Sequence, residues 1–169
     1  MIHIRPAKKF ERKNIVELAS EQFGDGYLVR KELDIDRYIV LYVDDDFSGF
    51  VNTDFYSKEE WDEPGNEGAG MIETIAVKTA YQRLGLGTAL IGVAKADLIL
   101  GGATAIYCYA ANWSDLDGLA PVASPLQNNG FKVKDFLPRM WKDDPPGYKC
   151  RACGYPCNCD ATLYVWKRG

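Results

Sequence analysis

Histidine is almost missing from this 169-residue chain: there is one, His3, close to the start. A Ser-His-Asp triad, a Cys-His pair, an H-E-x-x-H zinc site and a two-Cys two-His finger all need imidazoles that are not there. Acid-base chemistry therefore falls to carboxylates, tyrosines or cysteines. Basic charge is also short, with 20 Lys and Arg against 24 Asp and Glu and a net charge of −4. Sequence-independent nucleic-acid binding relies on a basic surface, so no nucleic-acid partner is expected. Long apolar runs are lacking too. The uncharged stretch Leu98 to Ala111 is shorter than a spanning helix needs and carries two glycines, and Met1 to Phe10 is too polar for a signal peptide. The expectation is a cytoplasmic protein with no membrane partner; homodimerisation is left open.

What is present has the balance of one globular domain spanning residues 1–169, with 47% apolar and 26% charged residues. A chain of this length buries roughly two thirds of its unfolded surface, enough for a core without covalent staples. The five cysteines therefore need another explanation.

Ile2 to Arg5 alternates apolar and polar before Pro6, and Ile15, Leu18, Ala19 and Phe23 then recur at helical spacing. A strand and an amphipathic helix are expected, ended by Gly24-Asp25-Gly26, with a second polar helix from about Val29 to Asp36. Tyr38 to Val43 and Phe47 to Phe55 read as a hairpin turning at Asp44-Asp45-Asp46. Lys58 to Gly70 is a solvent loop in which Glu59, Glu60, Asp62, Glu63 and Glu67 either steer a cationic substrate or simply form a solvated face. Met71 to Val77 is a strand whose alternation puts Glu73 on a face with Met71, Ile75 and Val77, out of place for a carboxylate. A helix from about Gly87 to Leu100, apolar nearly all round and stopped by Gly101-Gly102, reads as buried. Strands are expected over Ala103 to Ala111, Phe131 to Phe136 and Thr162 to Lys167, the last two separated by a loop holding four cysteines.

Gln82-Arg83-Leu84-Gly85-Leu86-Gly87-Thr88 lies between a strand and that helix. Glycines at a helix start let backbone N–H groups approach an anion, and the helix dipole adds favourable potential, so a pyrophosphate would fit. It is not a Walker loop, since no Gly-Lys-Ser/Thr follows, and Leu90 occupies the third small position of a dinucleotide fingerprint.

With Ile72-Glu73-Thr74-Ile75-Ala76-Val77 before it and Asn129-Gly130-Phe131 after it, the Gln82-x-x-Gly85-x-Gly87 turn resembles the acetyl-CoA signature of the GNAT superfamily of N-acetyltransferases. The resemblance covers nearly the whole chain. It implies an α/β (α+β) fold with a mixed, mostly antiparallel central sheet flanked by helices and with splayed central strands, to which this chain adds a Cys-rich loop between the last two strands. It implies acetyl-CoA as cosubstrate, held along the strand by Ile75, Ala76 and Val77 and at the pyrophosphate by Gln82, Arg83, Leu84, Gly85, Leu86, Gly87 and Thr88. Asn112 stands where similar proteins place a cofactor contact. The acceptor would be a primary amine of a small molecule, peptide or protein, attacking directly.

Acetyl transfer needs a neutral amine, a polarised carbonyl and a protonatable leaving thiolate. Glu73 matches the position of the family's base and would be raised toward neutrality by desolvation; anchoring a substrate cation is its other role, and a plain surface Glu the bland reading. The family's acid is often a Tyr at the position of Leu126, which donates nothing. Tyr107, Tyr109, Ser124, a water or unassisted departure are the substitutes, and Cys108 reads as a small packing group. The missing Tyr motivates a rival function: a CoA-binding or zinc-clipped interaction module without catalysis.

Cys150-x-x-Cys153-x-x-x-Cys157-x-Cys159 is an addition to the family pattern. Four thiolates at this spacing can close a tetrahedral structural zinc site, and Gly154 permits a tight knuckle. Free thiols and two disulfides are the alternatives.

Overall fold

A computed structural model describes residues 1–28, 33–61, 67–144 and 147–169. The chain opens with β1 (Ile2–Pro6), a 3-10 turn over Lys9–Glu11 and α1 (Arg12–Phe23). It continues through β2 (Tyr38–Val43), β3 (Asp46–Tyr56), β4 (Ala69–Val77) and α2 (Leu86–Leu100). β5 (Ala105–Asn112), α3 (Ala123–Asn128), β6 (Lys132–Leu137) and β7 (Asp160–Lys167) complete it. The seven strands form one sheet in the order β1-β2-β3-β4-β5-β7-β6. Every neighbouring pair is antiparallel except β4 and β5.

The β2–β3 hairpin closes at Asp44 and Asp45, both at positive φ (47° and 66°). Two consecutive left-handed residues make a primed turn that matches strand twist, and Asp tolerates that conformation better than most side chains. Of the helix expected over Val29 to Asp36, residues 29–32 lie outside the described ones. In the described part Leu33 and Asp34 are not helical, and a 3-10 turn, Ile35–Arg37, follows, capped by the Asp34 carboxylate, which accepts from the Asp36 N–H.

α1 lies on one face of the sheet, burying Ile15, Leu18 and Ala19 against Tyr38, Val40, Phe50 and Ala76. At its start Glu11, wholly buried, accepts from Arg5 at 2.6 and 3.1 Å, from the Tyr42 hydroxyl at 2.6 Å and from the Lys8 N–H at 2.6 Å. α2 covers the other face through Leu90, Ile91, Ala94 and Leu98, packed on Ile72 and Ile106. It is not buried all round, as its composition suggests: Val93 and Leu100 are exposed, because only one side of the helix meets the sheet. Its end follows the Schellman pattern. Gly102 adopts φ +105°, its N–H donates to Ile99 O and the Ala103 N–H to Leu98 O. Among the described residues no helix is long and apolar enough to cross a membrane.

β4 and β5 pair only over Ala69–Met71 with Ala105–Tyr107. Beyond that register both strands run on, to Val77 and Asn112, without pairing each other. The sheet is split there, and the split positions the site.

Candidate active site

The exposed Glu73 sits in a β-bulge. β3 pairs Asn52 with Thr74 but Thr53 with Ile72, so Glu73 is the one residue of β4 without an opposite number. A bulge breaks alternation and re-aims side chains. Ile75 and Val77 consequently pack with the α2 cluster. Glu73 instead turns to the α1 face, where its Oε2 accepts from Asn52 Nδ2 at 3.0 Å and its neighbour Thr74 meets the Tyr27 hydroxyl at 3.0 Å. The expected face shared by Glu73, Ile75 and Val77 is thus corrected: one extra residue moves the carboxylate across.

Although its side chain keeps access to solvent, partial desolvation by the protein around it pushes the Glu73 carboxyl above its ordinary value, and the nearby Asp54 carboxylate adds to the rise; the Arg37 charge and the Asn52 hydrogen bond oppose it. Arg37 is itself paired with Asp54 at 2.7 Å, which blunts its pull on Glu73. Asn52 is nearly buried, and its Oδ1 has no hydrogen-bond partner, an unused acceptor on the same amide that holds Glu73.

On the α2 face the glycine turn is built as an anion cradle. Gly85, at φ +80°, is the N-cap of α2 and supplies no capping side chain, and the first turn carries no acid. The first N–H groups of the helix therefore lack a side-chain acceptor, with the positive end of the helix dipole behind them. Gln82 braces the turn, donating from Nε2 to Val77 O at 2.8 Å and to Gln22 Oε1 at 3.2 Å.

A cleft of about 1570 Å³ runs through the split. Ile75, Ala76, Val77, Gln82, Arg83, Gly85, Gly87 and Thr88 line one part; Glu73, Tyr27, Trp113, Trp141 and Tyr148 line another. Cys108 also lines it, but full burial pushes its thiol up to about 12.

The sequence matches the Acetyltransferase (GNAT) family over residues 9–116, which reach from the 3-10 turn before α1 to just past β5. The chain belongs to the GNAT family. Solved structures agree at the level of fold. Naa50 of Arabidopsis thaliana, in complex with a bisubstrate analogue, superposes with a TM-score of 0.70 at 13% identity over 99% of each chain. Ard1 of Thermoplasma volcanium gives 0.68 at 15% identity, over 96% of this chain and 95% of that one. The Drosophila melanogaster polyamine N-acetyltransferase gives 0.72 at 11% identity, over 99% of this chain and 100% of that one. No curated protein sequence matches the chain.

Within this GNAT frame the expected residues fall into three groups. Glu73, the β4 residues and most of the glycine turn meet in the cleft. Leu84 is exposed and Leu86 buried, neither side chain lining the cleft, so any contribution from them is through backbone. Asn112 stands apart from these residues. Its amide exchanges hydrogen bonds with the Thr162 hydroxyl at 3.0 and 3.3 Å, tying β5 to β7, and it does not line the cleft. Among the substitutes for the family Tyr, Tyr109 and Ser124 are on the cleft wall, whereas Tyr107 is buried beneath Trp61, ring centroids 4.8 Å apart. Leu126 is fully buried in the core.

Sequence reasoning missed Asn52, Tyr27 and Tyr148. Asn52 carried a faint signal, a polar residue amid the apolar run of β3. Tyr27 and Tyr148 carried none, since they meet only in the fold, rings 5.3 Å apart and edge on.

The four remaining cysteines converge. Their sulfurs all lie within 4.8 Å of one another, and no disulfide joins them. The acidic loop is described at Glu59, Glu60 and Glu67 but not at Asp62 or Glu63, which lie outside the described residues.

Proposed function

We propose that this GNAT chain moves an acetyl group from acetyl-CoA to a primary amine of a small molecule, peptide or protein by direct attack. The observation that carries the reading is the β4–β5 split: it opens one cleft with an uncapped helix N-terminus on the α2 face and a bulged, pKa-raised carboxylate on the α1 face. The cradle fits a pyrophosphate, because Gly85 adopts the left-handed conformation and a Cβ at Gly87 would meet nothing nearer than Pro125 Cγ at 3.5 Å. When bound, acetyl-CoA supplies the acetyl group already activated as a thioester.

The chain's own residues then divide the work. N–H groups from Gly85 to Thr88 hold the diphosphate, and the unpaired edge of β4 beyond Met71 offers backbone partners to the arm that enters the split. Glu73 takes the proton from the amine as its nitrogen bonds to the acetyl carbon and the carbon–sulfur bond breaks; a raised pKa makes it a better base near neutrality. Asn52 fixes the carboxylate from one side, donating from Nδ2 at 3.0 Å. Tyr109 and Ser124 are the cleft-wall hydroxyls available to return a proton to the leaving thiolate. Cys108 stays a protonated thiol at neutral pH, which argues against an acyl-cysteine route and for direct transfer.

Structures of this fold include a polyamine enzyme and one in complex with a bisubstrate analogue. The test is therefore thiol release from acetyl-CoA across polyamines and peptides with free N-termini, with mass spectrometry of the product. Release that depends on one acceptor class supports the reading. Release at the buffer rate with every amine overturns it.

A further inference from the structure

The cysteine segment has a geometry that the acetyl-transfer chemistry does not use. Cys150 Sγ and Cys159 Sγ are 3.9 Å apart, Cys153 and Cys157 3.7 Å, and Cys153 and Cys159 3.7 Å. A tetrahedral ion with zinc–sulfur bonds of about 2.3 Å would set its four sulfurs about 3.8 Å from one another. Two disulfides would need two of those distances near 2.05 Å. Cys150, Cys157 and Cys159 are buried and Cys153 half-buried, so the thiols turn inward on a common centre. The backbone is folded as a knuckle. Cys150 and Gly154 exchange hydrogen bonds at 3.1 and 2.9 Å, Gly154 adopts φ +76°, and the Asn158 N–H donates to Cys153 Sγ at 3.2 Å.

The place of the knuckle is equally specific. Its leading edge lies along the end of α1: the Lys149 N–H donates to Asp25 O at 3.2 Å, the Arg151 N–H to Phe23 O at 3.0 Å, and the Tyr148 hydroxyl to the same Phe23 O at 3.0 Å. The approach is so close that a Cβ on Gly24 would stand 2.0 Å from Lys149 O, and one on Gly26 2.0 Å from Gly147 O. Cys150, Cys157 and Cys159 line the same cleft as Glu73, and Tyr148 reaches Tyr27, whose hydroxyl meets Thr74 beside it.

We propose that Cys150, Cys153, Cys157 and Cys159 hold one zinc ion in a closed four-thiolate site, and that the ion fastens residues 147–159 to the end of α1 as the acceptor-side wall of the cleft. Four thiolates leave no open position for water or substrate, so the ion is structural. Without it a short, strand-free segment must hold its shape against α1 by a few hydrogen bonds and the packing of Tyr148 and Ala152 around Phe23 and Trp113, and the wall loosens before the core does. The metal half of the proposal stands on the thiol geometry; the wall half rests on the acetyl-transfer reading.

The experiment begins with untreated protein purified without chelator. Elemental analysis should give one zinc per chain, and a mercurial thiol reagent should release it to a chromogenic chelator. Substoichiometric metal, iron in its place, or an intact mass showing disulfides overturns the site. Zinc-stripped protein should then be cut by protease within 147–159 while still being stabilised by acetyl-CoA, and should show acceptor KM raised tenfold or more with acetyl-CoA affinity unchanged. Gly24→Ala is the second variant, since it forces the segment off α1 with all four thiols intact: zinc should stay and acceptor KM should rise. Unchanged acceptor KM and unchanged protease resistance after stripping overturn the wall. Should the untreated protein acetylate nothing, acetyl transfer fails as a reading, while metal content and proteolysis still decide the zinc site and its hold on the segment.

Discussion

Asn52 on β3 donates a 3.0 Å hydrogen bond to Glu73 on β4 at the point where the two strands fall out of step by one residue. The bulge delivers the carboxylate to the α1 face, and the amide holds it there. The same bond favours the ionised form, so Asn52 limits how far partial desolvation and Asp54 can raise the carboxyl.

Replacing Glu73 by Gln keeps the shape and the Asn52 contact but removes the proton acceptor. Turnover should fall on the order of 100-fold or more with acetyl-CoA affinity nearly unchanged. Steady-state rates beside calorimetric titration of acetyl-CoA check this; near-normal turnover across pH would mean that the amine arrives already neutral and Glu73 is not its base.

The neighbours of Glu73 give a test with opposite signs. A base works when deprotonated, so the rate rises with pH through the folded pKa of Glu73. Asn52→Ala removes an interaction that lowers that pKa and should move the acid limb of the pH–rate profile upward. Asp54→Asn removes a charge that raises it and should move the limb downward. Both limbs moving the same way, or neither moving, would separate the limb from Glu73.

Acetyl-CoA should stabilise the fold, by about 2.7 kcal/mol at a hundredfold excess over its dissociation constant. Gly87→Ala separates fold from ligand. The added methyl has room beside Pro125, and Ala in a helix is worth roughly 0.5–1 kcal/mol over Gly. The melting temperature alone should hold or rise while the shift induced by acetyl-CoA shrinks. Gly85→Val should instead cost about 1–2 kcal/mol by itself, because φ +80° strains any residue with a Cβ. Thermal melts with and without acetyl-CoA read both.

Glu11 sets an acid limit on stability. Burial pushes its carboxyl up, but hydrogen bonds from Arg5, Tyr42 and the Lys8 N–H outweigh that and hold it below the ordinary value. A lowered folded pKa means stability present in full above the unfolded value and lost as pH falls through the folded one. Glu11→Gln should cost about 2 to 3 kcal/mol at neutral pH, less than for a wholly buried pair because Arg5 is one-third exposed, and the loss should shrink in acid. Urea melts of both proteins at neutral and acid pH check the sign.

What the sequence shows and hides divides along locality. The glycine turn, the strand before it and the helix after it are legible because a φ-permissive residue, an apolar alternation and a helix stop are each written within a few neighbouring positions. The bulge is not, since β4 alternates well enough by itself and the extra residue at Glu73 is defined only by its register with β3. Gly24 and Gly26 read as a helix break, yet their missing side chains also admit the backbone of Gly147 and Lys149, from the far end of the chain. The cross-strand pairing of Asn112 is hidden for the same reason. Its partner Thr162 comes from β7, and a cross-strand pair leaves no mark in either strand alone.

The central claim is direct acetyl transfer in this cleft. It is tested most directly with acetyl-CoA carrying a labelled acetyl group, incubated with protein and an accepted amine and followed by mass spectrometry of acceptor and protein together. The account predicts the label on the amine nitrogen, one CoA thiol released for each acetyl moved, and no labelled protein when the amine is withheld. Label retained on a cysteine of the chain, or thiol released no faster than in buffer with every amine, would contradict it.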